Sequence, residues 1–203
     1  MSQTTTDPLD ALLGEHHPQA QAAARRFAQL AASSWQADLA YTTLASPIGA
    51  LLLIASRSGL AVLHYADGGI DARLAEIARA RSPRIVESAA ALDPWRRELD
   101  EYFAGRRRSF QAPLDLAELT GFRRRILLET AKIPYGSALS YKEVAGAAGS
   151  PGAARAAGNA LGSNPLAIVI PCHRVRHSGG GLGGYTGGLE RKRALLAIEG
   201  LAT

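Results

Sequence analysis

Residues 140–161 read SYKEVAGAAGSPGAARAAGNAL, and this stretch decides how the C-terminal part of the chain folds. Ser140 and Glu143 have the spacing of a capping box, in which each side chain bonds the backbone N–H of the other residue at a helix start. Pro151, which follows Ser150, suits the first turn of a second helix. Two short helices joined by a glycine-containing turn are typical of a helix-turn-helix.

The second predicted helix, residues 152–161, carries almost only small side chains around one arginine, Arg155. A helix without bulky side chains can lie close to another backbone. Two interpretations follow from this property. The helix packs tightly against a neighbouring helix, or it lies against a DNA groove with Arg155 as its one long side chain.

The chain before this stretch contains both helical and strand-like patterns. An amphipathic helix is predicted over residues 121–133, and it ends at Pro134. Three short apolar runs separated by turn residues indicate a small antiparallel meander at residues 41–45, 50–55 and 60–65. The remaining predicted elements are a helix at 71–80, a strand around 85–86, and a helix opening at Asp93-Pro94 with Asp93 as its cap.

These elements divide the chain into three parts. Residues 1–36 form an N-terminal extension to which we assign no role. Residues 37–114 form an α+β domain with a small antiparallel sheet and helices. Residues 115–203 form a mainly α domain that contains the helix-turn-helix. The basic run at 106–108 and the region of Pro113 provide the linker between the two domains.

The composition is that of an ordinary globular protein, with 47% hydrophobic and 20% charged residues. No segment has the roughly 18 apolar residues of a membrane span, and the N-terminus lacks a signal-peptide pattern, so we expect a cytoplasmic protein. Residues 1–120 carry 12 basic and 14 acidic side chains, whereas residues 121–203 carry 11 basic and 4 acidic ones. The basic part indicates a polyanionic partner such as nucleic acid, although a solvated basic face fits the charge equally well.

Residues 168–175 place the only cysteine of the 203 residues, Cys172, beside His173 and Arg174. The apolar run before the cysteine predicts a strand. A cation beside a thiol lowers the thiol pKa by favouring the nucleophilic thiolate. One cysteine supplies neither an internal disulfide nor a multi-cysteine zinc site, and we predict no metal and no cofactor. Without these neighbours, a lone cysteine would be interpreted as a small buried hydrophobic residue.

The motifs of the chain occur in an order that resembles one family. In chain order they are IPYG at 133–136, SY at 140–141, ARA at 154–156, SNP at 163–165, IPCHRV at 170–175, GYTGGL at 184–189 and EG at 199–200. Together they resemble the O6-alkylguanine-DNA alkyltransferases over residues 41–201, most strongly from residue 121 onward. The PCHRV run is specific in combination with the asparagine before it and the GGL after it.

The resemblance implies that an alkyl group passes directly and irreversibly from O6-alkylguanine, and from O4-alkylthymine, to Cys172, so that the protein is consumed. His173 would take the thiol proton through a water, and Glu199 would orient the imidazole, as the third group of a triad does. Asn164 would be a hinge residue that fixes the turns near the thiol. The implied fold is a ribonuclease-H-like N-terminal domain followed by a winged-helix-like helix-turn-helix.

The resemblance also implies how DNA is bound. The partner is double-stranded DNA containing O6-alkylguanine, which a monomer approaches from the minor groove while the damaged nucleotide flips out of the stack. Tyr141 would displace the phosphate of the target nucleotide, and Arg155 would fill the vacated space, beside the small Ala154 and Gly158. The pocket residues expected by resemblance are Pro165, Val175, Tyr185 and Thr186. The preferred alkyl size and any cooperative binding along DNA stay open.

Three other functions fit part of the pattern. An alkyltransferase-like sensor flips the lesion without transfer, but such relatives replace the cysteine that this chain keeps as Cys172. A helix-turn-helix regulator with an incidental thiol would need base-reading side chains, which the second helix lacks. A cysteine hydrolase would turn over many times, whereas alkyl transfer gives one event per protein molecule.

Overall fold

The computed structural model describes residues 37–201, in which a small sheet with two helices precedes a mainly helical part. The N-terminal extension predicted at residues 1–36 lies outside the described residues. Within the described part, no helix is long and apolar enough to cross a membrane.

Three strands form the predicted antiparallel meander. They are β1 (Leu39–Leu44), β2 (Leu51–Ser56) and β3 (Gly59–Tyr65), which pair in sequence order. Gly49 turns the chain between β1 and β2 with a φ of 106°, which L side chains rarely adopt. A fourth strand, β4 (Ile85–Glu87), pairs in parallel with β1, so that the order is β3-β2-β1-β4. The sheet is therefore mixed, because a crossover helix carries the chain back before β4 begins.

Helices cover both faces of this sheet. The crossover helix α1 (Asp71–Ala80) places Ile77 in a small apolar cluster on one face. Helix α2 (Asp93–Phe103) places Leu99 in the larger core on the other face, which continues into the C-terminal part. Residues 51–55 of β2 are buried throughout because both faces are covered, and this explains their uninterrupted apolar run.

The start of α2 differs from the prediction. The N-cap is Leu92, which makes no side-chain cap bond, and Asp93 is already helical. The carboxylate of Asp93 instead pairs with Arg97 one turn further along the helix. An i,i+4 ion pair thus takes the oxygen that a cap would have used.

The predicted linker packs against the N-terminal domain. Arg107 forms ion pairs with Glu98 at 3.2 Å and with Glu101 at 2.8 Å. The carbonyl of Pro113 accepts hydrogen bonds from Leu60 N at 2.9 Å and from Trp95 Nε1 at 3.0 Å. These bonds tie the connection to β3 and α2 before the chain enters the helical part.

The C-terminal part contains the predicted helix-turn-helix. Its elements are α3 (Gly121–Ala131), β5 (Leu139–Ser140), α4 (Tyr141–Ala147), α5 (Ala154–Gly162), β6 (Val175–Arg176) and α6 (Leu189–Ile198). The capping box is confirmed, since Ser140 Oγ accepts from Glu143 N at 3.1 Å and the Glu143 carboxylate accepts from Ser140 N at 2.6 Å. Helices α4 and α5 pack against each other and on α3, and the short β5-β6 pair beside them makes the unit winged-helix-like.

Two predicted local structures in this part are wrong. The sequence predicts Pro151 in the first turn of the second helix, but Ser150-Pro151 lie in the turn between the helices and α5 begins at Ala154. The run before the cysteine is not a strand: Ile168 has a φ of 73°, and Cys172–Arg174 form a 3-10 turn. Ile168 and Ile170 are buried in the main core, so burial rather than strand pairing explains the apolar run.

Candidate functional site

A cavity of about 660 Å³ opens between the helix-turn-helix and the glycine-rich loop that precedes α6. It is lined by Tyr141, Ala154, Arg155, Gly158, Leu161, Gly162, Cys172, His177, Gly184, Tyr185 and Thr186. The thiol of Cys172 is buried, with 6% of the residue exposed, and it lies at this cavity. The fold thus brings the sequence-predicted cysteine and the predicted DNA-contacting residues to one place.

The buried side chain of Asn164 holds the cysteine turn. Its Nδ2 donates to Cys172 Sγ at 3.2 Å and to Ile170 O at 2.8 Å, and its Oδ1 accepts from Leu166 N at 3.0 Å. One amide therefore connects the end of the helix-turn-helix to the thiol, at the position predicted for a hinge residue.

The thiol has the opposite pKa shift from the one predicted. Burial raises the pKa of Cys172, and the hydrogen bond from Asn164 and the charge of Lys192 offset only part of this shift. Arg174, the expected neighbouring cation, directs its guanidinium to Glu199 and to the carbonyl of Ile133. The surroundings of Cys172 in the fold therefore favour the protonated thiol over the thiolate.

His173 and Glu199 form the predicted pair beside the cysteine. His173 Nε2 lies 2.8 Å from Glu199 Oε1, and both side chains are fully buried. Burial lowers the pKa of His173, although the Glu199 carboxylate acts in the opposite direction. Among the described residues, His173 Nδ1 has no hydrogen-bond partner. With Nε2 donating to a carboxylate, Nδ1 is the nitrogen that can accept a proton.

Glu199 receives further donors that the sequence did not indicate. Arg174 binds it through Nε at 2.8 Å and Nη2 at 2.9 Å, and the hydroxyl of Tyr102 donates to it at 2.7 Å. Burial alone would raise the pKa of Glu199, but the hydrogen bonds from His173 and Arg174 outweigh burial and lower the pKa to about 2. The carboxylate stays ionised in the core. The arginine of the PCHRV run was visible in the sequence, whereas nothing local pointed to Tyr102 on α2.

Lys192 on α6 is a second residue that sequence reasoning missed. It is completely buried, and its Nζ donates to Val175 O at 2.6 Å, to Leu182 O, and to Gly184 O at 3.4 Å. Burial lowers the pKa of Lys192 to about 8. The ammonium group thus ties the glycine-rich loop to β6 and places a positive charge near the thiol.

Tyr141, the first residue of α4, closes one side of the cavity. Its hydroxyl donates to Gly184 O at 3.4 Å. A Cβ on Gly183, whose φ is 70°, would lie 2.6 Å from this hydroxyl, so the loop needs glycine there. Gly158 of α5 faces the same ring at 3.7 Å from its ideal Cβ position. Arg155, on the outer surface of α5, is exposed at the edge of the cavity.

Two of the four predicted pocket residues line this cavity. Tyr185 stands edge-on to His173, with ring centroids 6.5 Å apart, and Thr186 Oγ1 donates to Gly162 O at 3.0 Å. Pro165 and Val175 are not among the described residues that line it. Val175 is completely buried, whereas Pro165 is partly buried and its carbonyl accepts a hydrogen bond from Leu63 N at 2.8 Å.

Fold and site together define a two-domain DNA-binding type of protein, in which a helix-turn-helix lies over an enclosed thiol. The model of the 6-O-methylguanine DNA methyltransferase DNA-binding domain matches residues 121–201, and that of its ribonuclease-like domain matches residues 39–116. The chain therefore belongs to the 6-O-methylguanine DNA methyltransferase family.

Individual relatives agree with this assignment. The methylated-DNA--protein-cysteine methyltransferase of Mycobacterium bovis is 42% identical over 160 residues, which cover 78% of this chain and 91% of the relative. The inducible enzyme of that name from Bacillus subtilis is 41% identical over 62% of this chain and 71% of its own. Among solved structures, the Mycobacterium tuberculosis O6-methylguanine methyltransferase superposes with a TM-score of 0.71 at 39% identity, covering 81% of this chain and 95% of its own. The M. tuberculosis OGT in complex with DNA gives a TM-score of 0.68 at 40% identity over 79% of this chain and 92% of its own.

Proposed function

We propose that the protein repairs DNA by transferring the alkyl group of O6-alkylguanine to Cys172 Sγ. Its relatives are named methylated-DNA--protein-cysteine methyltransferases, and alkyl transfer is the activity of this chain as well. The observation that carries the proposal is a buried thiol at the cavity under the helix-turn-helix, with Asn164 on its sulfur. The S–C bond forms as the bond between the alkyl carbon and O6 breaks. Because the resulting thioether is not cleaved again, each protein molecule reacts once.

The thiol needs a base before it can attack, because its pKa is raised by burial. Glu199 is ionised, so that His173 carries its hydrogen on Nε2 and offers the lone pair of Nδ1. The proton of Cys172 passes to Nδ1 through a bridging water, and the carboxylate stabilises the imidazolium that forms. The electron pair of the broken bond remains on guanine as an anion, to which the Tyr141 hydroxyl donates a hydrogen bond. The base then takes up one proton from solvent, and His173 releases to solvent the one it took from the thiol.

Access to the lesion requires base flipping, since O6 is held inside the stacked duplex. Arg155 is exposed at the edge of the cavity and can occupy the space that the nucleotide leaves. Ala154 and Gly158 keep the surface of α5 flat beside it, which suits close contact with a minor groove. Exposed basic side chains after residue 120, among them Lys142 and Arg193, can contact phosphates, whereas Arg174 and Lys192 are buried.

The flipped base would enter the cavity beside Tyr185 and Thr186. Tyr185 offers an aromatic wall, and the backbone of the glycine-rich loop can approach a planar base closely. We keep Pro165 and Val175 as proposed pocket residues on the resemblance alone. O4-alkylthymine presents the same alkyl–oxygen bond on a smaller base, and we include it as a substrate.

We assign DNA binding and transfer to residues 115–203 and support of the site to residues 37–114. The hydrogen bond from the Tyr102 hydroxyl in the N-terminal domain to Glu199 supports this assignment. No task is assigned to residues 1–36. One chain carries the complete set of reacting groups, so we propose that it acts as a monomer.

The test is a mass measurement after equimolar incubation with duplex DNA that contains O6-methylguanine. One methyl mass is expected on the peptide that contains Cys172, together with restored guanine in the DNA. Cys172→Ser is the matched control, and it should bind the lesion duplex and leave it methylated. Wild-type protein that binds without acquiring an adduct would be a sensor, and product formation beyond one equivalent would indicate a hydrolase. Either outcome would overturn the proposal.

A further inference from the structure

A tyrosine of the N-terminal domain reaches the pocket loop of the C-terminal domain. Tyr65, the last residue of β3, lies with its hydroxyl 2.8 Å from the hydroxyl of Tyr185. The two rings meet edge to face, with centroids 6.2 Å apart and an interplanar angle of 72°. Tyr185, the aromatic wall of the cavity, is therefore anchored at its hydroxyl by a residue 120 positions earlier in the chain.

Arg191 on α6 fastens the same contact from the other side. Its guanidinium lies over the Tyr65 ring at 4.3 Å from the centroid, and its Nη2 pairs with Asp67 Oδ1 at 2.7 Å. Its Nε donates to Ile48 O at 2.7 Å, and its Nη1 donates to Gly187 O at 3.2 Å. One side chain thus joins two turns of the sheet domain to the end of the pocket loop.

The loop lies directly on the Tyr65 ring. A Cβ on Gly187 would fall inside the van der Waals envelope of that ring, so the backbone passes where a side chain would not fit. Burial raises the pKa of Tyr65 to about 12 and raises the pKa of Tyr185 well above its ordinary value. Both phenols are neutral at physiological pH, and one donates its hydrogen to the other.

We propose that Tyr65 is a positioning residue that sets the alkyl size the cavity accepts, by holding Tyr185 in place. The inference rests on the proposed alkyl transfer at Cys172. Tyr185 lines the cavity with the thiol and stands edge-on to His173, so its position limits the room beside the reacting carbon. A methyl group fits without moving Tyr185. A bulky alkyl group displaces Tyr185, which breaks the hydrogen bond between the Tyr65 and Tyr185 hydroxyls.

Tyr65→Phe removes only that hydroxyl and keeps the ring under Arg191. Single-turnover transfer rates would be measured with O6-methylguanine and O6-benzylguanine in the same duplex sequence. The ratio of the benzyl rate to the methyl rate should rise about threefold to tenfold, because one hydrogen bond no longer opposes the displacement of Tyr185. Tyr41→Phe is the matched control, because Tyr41 lies on β1 and packs with the apolar cluster on the other face of the sheet.

Tyr185→Phe removes the same hydrogen bond from the other partner and decides the question if the Tyr65 variant does not fold. It should raise the ratio equally, and the double variant should add nothing, because both changes delete one interaction. An unchanged ratio in the folded Tyr65→Phe variant, or in Tyr185→Phe where Tyr65→Phe does not fold, would overturn the role of Tyr65. Absence of methyl transfer in the wild-type protein would instead overturn the proposed function, so the two failures are distinguishable.

Discussion

Replacement of Glu199 by glutamine tests how much the site depends on its buried carboxylate. The pKa of Glu199 falls from 4.5 to about 2 in the folded protein. At about 1.4 kcal/mol per pKa unit, this shift corresponds to about 3 kcal/mol of folding free energy. Because the folded-state pKa is depressed, this stability is fully present above pH 4.5 and is lost as the pH falls towards 2. Glutamine does not titrate, so it contributes no pH-dependent stability, and it leaves the Arg174 guanidinium without its counter-charge.

We therefore expect the free energy of unfolding of Glu199→Gln to be about 3 kcal/mol lower than that of wild type at pH 7. The difference should shrink steadily between pH 4.5 and 2, which urea unfolding at a series of pH values would measure. Glu129→Gln is the control, since Glu129 pairs with Lys132 at the surface of α3. That change should alter the free energy of unfolding by about 1 kcal/mol at most.

The same substitution should slow alkyl transfer. Without the carboxylate, the imidazolium of His173 loses its counter-charge as the thiolate forms, and we expect the single-turnover rate to fall by about a hundredfold or more. The rate would be followed at pH 7 on folded protein by loss of O6-methylguanine from duplex DNA. A variant that reacts at the wild-type rate, or a stability difference that stays constant from pH 7 to 2, would refute the assigned role of Glu199.

Three further substitutions test other parts of the site. Asn164→Ala removes the donor to Cys172 Sγ and the acceptor of Leu166 N, so urea unfolding should show a loss of about 2 kcal/mol, and an unchanged midpoint would count against this role. Arg155→Ala should slow transfer from duplex DNA far more than from single-stranded DNA, because only a duplex leaves a gap to fill; equal slowing in a single-turnover assay would contradict this. Lys192→Met removes a buried cation whose pKa falls from 10.5 to about 8. Between pH 8 and 10.5 the unfolded chain therefore binds more protons than the folded protein, and the stability of wild type relative to this variant should rise over this range. A stability difference that stays flat in pH-dependent unfolding would contradict a buried charge at Lys192.

Local patterns predicted the elements that depend on local chemistry. The capping box at Ser140 and Glu143 and the three-stranded meander are confirmed, because neighbouring residues supply their hydrogen bonds and turns. The predictions failed where packing outweighs local preference. The run at 168–175 has strand composition, yet Ile168 and Ile170 are buried around a turn that Asn164 holds. The Asp93 cap failed for a related reason, since an arginine one helical turn away competes for the carboxylate.

Sequence information was enough to recognise the family and to single out Cys172, His173 and Glu199 as candidate site residues, because each lies within a short motif of fixed order. The three-dimensional arrangement decided what surrounds them. Tyr102 reaches Glu199 across 97 positions and Tyr65 reaches Tyr185 across 120, and no periodicity or spacing marks contacts at such separations. It also decided the direction of the thiol pKa shift, because desolvation depends on how the core closes around the sulfur and not on which residues stand next to it in the chain.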